Sequence, residues 1–96
     1  LEKQASILLF SFLDQMEQNP RCGPIHISLL VAIIHEANLQ AKNPISIYSR
    51  GLMRKAKIGG VATYHRVIKD LQEFNFIRYE PSYNPLFGSS IYILKQ

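Results

Sequence analysis

With 96 residues and 47% hydrophobic side chains, the chain has the size of one domain and enough apolar material for a core without disulfide or metal support. No apolar run approaches the roughly 20 residues that span a bilayer, so no membrane-spanning helix is expected. Cys22 stands alone, which rules out an internal disulfide and leads us to expect a reducing, cytoplasmic setting. Leu1–Lys3 is no positive lead-in and no small-residue cleavage site follows, so no signal peptide is expected. With a first residue other than Met, an excerpt of a longer chain or a processed chain is expected.

The net charge of +4 is unevenly spread. Arg50 through Arg78 holds seven of the eleven bases against Asp70 and Glu73, a local charge of +5, which leaves −1 for everything else. Clustered Lys and Arg attract phosphates and release their counterions, so the segment is a candidate nucleic-acid footprint. The plainer alternative is a basic surface that serves solubility. Membrane-surface binding would need those bases beside an exposed apolar stripe, whereas the stripe here is needed for the core.

In chain order, Lys3 to Gln18 reads as an amphipathic helix with Ile7, Leu8, Phe10, Leu13 and Met16 inward. Leu9 and Phe12 widen its apolar stripe, which fits either packing on a second chain, as in a homodimer, or burial against its own domain. Asn19 to Pro24, with two prolines and a glycine, ends it. Ile25–Ile27 reads as a short extended piece, and Ser28 as the cap of a helix from Leu29 to about Ala41. Leu30, Ile33, Ile34 and Ala37 recur there at helical spacing, and its apolar start (Leu29 to Ile34) marks it as the central core helix. Lys42-Asn43-Pro44 closes it, and Ile45-Ser46-Ile47 reads as a brief strand.

Ser49 is then a candidate cap for a basic helix over Arg50–Lys57. A turn at Ile58-Gly59-Gly60 follows, and a longer helix over Val61–Asn75. Tyr64, Val67, Ile68, Leu71 and Phe74 fall on one face of the longer helix. Ala62, Thr63, His65, Arg66 and Lys69 fall on the other. Phe76 to Glu80 alternates like a half-buried strand, Pro81 to Ser89 is rich in turn formers, and Ser90–Leu94 reads as a returning strand with Ile91 and Ile93 on one face.

Helix, short strand, helix, turn, helix and hairpin, from about Ile25 to Leu94, resembles the winged helix-turn-helix family. The stretch Thr63-Tyr64-His65-Arg66-Val67-Ile68-Lys69-Asp70-Leu71, followed by Phe76-Ile77, looks like that family's third helix running into its first wing strand. Tyr79 to Pro85, with Gly88-Ser89 closing the loop, is similar to small winged-helix proteins of Bacteroides-type mobile elements. The resemblance implies a mainly α fold with a small β-hairpin, a three-helix core plus wing at 25–96, and an extra N-terminal helix at 1–18. It also implies a role in transcriptional regulation or in excision or transfer of an element. Two departures stand out: Gly60 and Val61 replace the usual Ser or Thr cap of the third helix, and no Lys or Arg occurs between Ser82 and Ser90.

Each candidate contact has a chemical reason. Arg66 can grip guanine O6 and N7 with its planar fork, and small Ala62 and Thr63 let the helix approach base edges. His65 and Lys69 share that outer face, though Lys69 could instead pair with Glu73 at i,i+4. Arg50, Arg54 and Lys57 form one ridge suited to phosphates. Gly60 and Val61 offer free N–H groups at a helix start. In the wing, Tyr83, Asn84 and Ser89 are the candidates that could reach DNA.

Double-stranded DNA is therefore the expected partner, with protein–protein adaptor as the alternative, using Phe87 and the first helix. Cys22 and His26 supply only two ligands, so no metal is expected. No nucleophile–base pair, acid dyad or phosphate-cradling loop appears, so neither enzyme activity nor a cofactor is expected. An RNA binder would need exposed aromatics on a sheet.

Overall fold

The second helix starts earlier than its cap signals suggest. In a computed structural model that describes residues 2–82 and 88–94, with side chains from residue 5 onward, α1 spans Glu2–Glu17 and α2 spans Pro24–Gln40. Gly23 caps α2 in an extended conformation and Pro24 takes its first turn. Proline is well placed there, because its missing N–H would have no helical partner and its φ is already helical. Ile25–Ile27 is thus helical rather than extended. Ser28 is no cap; its hydroxyl donates to the Ala56 carbonyl.

β1 (Ile45–Ile47), α3 (Ser49–Ala56), α4 (Val61–Glu73), β2 (Ile77–Glu80) and β3 (Ser89–Ile93) follow. Tyr48, not Ser49, occupies the cap position of α3. The described residues thus form four helices and one small antiparallel sheet, in strand order β1-β3-β2. Joining β1 to the expected hairpin makes three strands where the sequence suggested two plus an isolated piece. Ile45 faces Ile91 in register, and Ile77 faces Ile93. Beyond Ile45 the Asn43 side-chain amide takes the next rung, bonding the Ile93 N–H and C=O at 2.9 Å each. The Asn43–Pro44 peptide is cis.

Helix side chains cover both sheet edges. The Gln40 amide accepts the Ser46 N–H at 3.0 Å and donates to its C=O at 2.7 Å, and Gln72 Oε1 accepts the Tyr79 N–H at 3.1 Å. Edge groups satisfied in this way are poor templates for pairing with another chain. Gly88 approaches β1 so closely that a Cβ would lie 2.3 Å from the Ile47 carbonyl oxygen. Its bare backbone is what lets the loop re-enter the sheet.

α2 touches α1, α3, α4 and β1, as a central helix should. Leu29, Leu30 and Ile33 are fully or almost fully buried. α1 belongs to the same core, with Phe12 fully buried and its ring 4.8 Å from that of Phe76. The inward face of α1 is Phe12 and Met16, flanked by Ala5, Leu8 and Leu9. Ile7 and Phe10, expected inward, are 60% and 62% exposed. The apolar stripe was too wide for one contact, and α2 takes its Phe12 side. Among the described residues, no helix is long and apolar enough to cross a membrane.

Candidate nucleic-acid interface

α4 is anchored by the face that the sequence assigned to the core. Tyr64, Val67, Ile68 and Leu71 are buried, and Phe74 packs against the same cluster. Each buried aliphatic side chain contributes roughly 1.5–3 kcal/mol, which fixes the helix's rotation. The helix ends at Glu73, not Asn75: Phe74 is its cap, and Asn75 turns left-handed at φ 65°. The Tyr64 hydroxyl is buried without a hydrogen-bond partner among the described residues, and burial pushes its pKa up.

The opposite face is open. Val61, Ala62, His65, Arg66 and Lys69 are exposed and Thr63 is partly so. Gly60 caps α4 with an extended backbone, and its carbonyl accepts the Tyr64 N–H at 3.0 Å. The tight turn does not depend on glycine geometry, since neither Gly59 nor Gly60 has positive φ. The left-handed residue is Lys57, at φ 63°.

Charge partners sort the basic residues. Arg66 sits 3.7 Å from Asp70, one helical turn along, a loose exposed contact of little energetic weight. Lys69 does not pair with Glu73, whose carboxylate lies 3.6 Å from Arg21. Arg50, Arg54, Lys57 and Lys69 are all exposed and have no ion pair among the described residues. Only three residues separate Lys57 from the start of α4, so the end of the α3 ridge adjoins the open face. Arg78 is engaged elsewhere, stacked 4.1 Å over the Tyr92 ring with Glu80 4.0 Å away.

A shallow groove of about 580 Å³ runs between β1 and α3. Its rim carries Arg54, Lys57 and Lys55, the last tied to Glu36 at 2.5 Å. That contact, then the Gln40 hydrogen bond, holds the Glu36 carboxyl below the usual range. Ser89, a wing candidate, lies inside β3, and its hydroxyl is 3.0 Å from that of Tyr79. Tyr83, Asn84 and Phe87 lie outside the described residues.

One cluster escaped the sequence reading. His26, buried at the start of α2, accepts the Gly23 N–H at Nδ1 (3.0 Å) and reaches Asp70 Oδ2 through Nε2 (2.8 Å). The backbone donor leaves Nδ1 unprotonated, so Nε2 carries the hydrogen and donates it to Asp70. Arg21 adds a 3.2 Å contact to the same carboxylate and stacks 5.1 Å over Phe74. Both imidazole nitrogens being occupied, His26 is not available to activate Cys22. Burial, then Asp70, pushes that thiol's pKa up, with Arg21 opposing. Among the described residues no three potential ligands gather into a metal site.

No protein-family model matches the chain, and no curated protein or solved structure matches it. The functional reading therefore rests on geometry and charge.

Proposed function

We propose that the chain is a winged helix-turn-helix protein that binds double-stranded DNA, with α4 in the major groove. The element order α2–β1–α3–α4–β2–β3 and the strand order β1-β3-β2 support the fold reading. The observation that carries the function is the division of α4: a buried face holds it while Ala62, His65, Arg66 and Lys69 stand exposed near Lys57, which has no ion pair among the described residues. Arg66, His65, Thr63 and Lys69 are the base-edge contacts, and Arg50, Arg54 and Lys57 hold phosphates. The resemblance to mobile-element proteins suggests a regulator or accessory factor, and α1 is its spare surface for self-association.

The test is titration of labelled random duplex at two salt concentrations. Binding that falls steeply with salt is expected, with a slope close to the number of phosphates neutralised. Absence of binding at low salt would remove the proposal. It would favour the adaptor reading, for which the exposed Ile7 and Phe10 are the supporting observation.

A further inference from the structure

We infer that the exposed face of α1 from one copy packs into the groove between β1 and α3 of a second copy, with the two helices parallel. This rests on reading α1 as a self-association surface and names what α1 meets in the DNA-free protein. Ile7, Phe10, Asp14 and Glu17 are all exposed and recur at i, i+3, i+7 and i+10, so they line one face. That face is apolar in its first half and acidic in its second. Neither acid has an ion pair among the described residues. Two α1 helices packed on each other risk bringing like charges together, whereas the groove offers the opposite sign.

The spacing matches as well as the sign. Along the groove wall Gly51, Arg54 and Lys57 follow one another at i, i+3 and i+6. Arg54 rises about 4.5 Å from Gly51 along the helix axis, and Lys57 follows as the left-handed cap just past its end; from Phe10, Asp14 and Glu17 rise about 6 and 10.5 Å. Set parallel, Phe10 lies over Gly51, Asp14 meets Arg54 and Glu17 meets Lys57. Glycine weakens a helix relative to alanine, yet Gly51 has no positive φ and a Cβ there would meet nothing within 4 Å of the same chain. What its bare surface accommodates is the approach of another helix. Tyr48, 61% exposed beside it, extends the apolar part of the seat. An apolar-anchored helix in a shallow groove is a familiar recognition mode. Because Arg54 and Lys57 serve both partners, duplex DNA would displace this contact.

The experiment is analytical ultracentrifugation of the full chain without nucleic acid, at about 0.05 M and about 0.5 M salt. Self-association at low salt that weakens at high salt is expected. Phe10→Ser, Gly51→Leu and the double variant Arg54→Glu/Lys57→Glu should each weaken it about tenfold or more, with circular dichroism unchanged. Mixing Phe10→Ser with Arg54→Glu/Lys57→Glu should restore a one-to-one pair, since one intact α1 then meets one intact groove. A wild-type chain that stays monomeric at low salt overturns the inference. So does association that Phe10→Ser abolishes and the groove variants leave intact, because that is the signature of α1 packing on α1.

Discussion

His26 Nε2 lies 2.8 Å from Asp70 Oδ2, which ties the first turn of α2 to the middle of α4. The same carboxylate faces Arg21 at 3.2 Å and lies 3.7 Å from Arg66, so one partly buried acid anchors α4 and adjoins a candidate base reader. Asp70→Asn separates these roles. Stability to urea should fall by about 1–2 kcal/mol, as charge-assisted hydrogen bonds become neutral ones. On the proposed function, random-duplex affinity at low salt should rise a few-fold, because a negative charge leaves the neighbourhood of the proposed DNA face. Both changes are readable on one preparation, by chemical denaturation and fluorescence anisotropy.

Arg66 and Arg54 should behave differently from each other. Arg66→Ala removes a base-edge candidate and should relax sequence preference, at a cost of about 1–3 kcal/mol on the preferred site. Arg54→Ala should weaken all duplexes alike and make the salt slope shallower by about one. Selection from a random DNA pool, then titration of the winners with each variant, checks both. Identical effects from the two substitutions would remove the division between base and phosphate contacts.

Lys57 occupies a left-handed conformation that costs a side chain more than it costs glycine. Lys57→Gly should raise unfolding stability by about 1 kcal/mol while weakening duplex binding. Opposite signs matter here, since a more stable protein that binds less well cannot be losing DNA through unfolding. Thermal melts and a salt titration on the same variant give the comparison.

The Glu36–Lys55 contact predicts a pH dependence. Its Lys55 bond, then Gln40, depresses the folded pKa of Glu36. A depressed carboxylate contributes stability above its unfolded value, about 4.3, and loses that contribution as pH falls through the lower folded value. Glu36→Gln should therefore be less stable than wild type at neutral pH, by about 0.5–1 kcal/mol for a largely solvated pair. The gap should close in acid. Urea melts of both proteins at neutral pH and near pH 3 would show it.

Where periodicity governed, the amino-acid order was enough. It determined the buried stripe of α4 at Tyr64, Val67, Ile68 and Leu71, the exposed Arg50 and Arg54 of α3, and the inward Ile91 and Ile93, because alternation and helical recurrence are local properties. Tertiary contact decided the rest. Which side of α1 turned inward depended on α2, so Phe12 went in and Phe10 stayed out. The third strand needed Ile45 to meet Ile91, and the anchor of α4 needed His26 to meet Asp70; both pairs are more than forty residues apart in the chain. A left-handed Lys57 ahead of two glycines of ordinary φ, with Ile58 buried between them, was likewise not written in the local pattern. Local patterns say which faces are apolar or charged; only the packed chain says which of those faces remain uncovered.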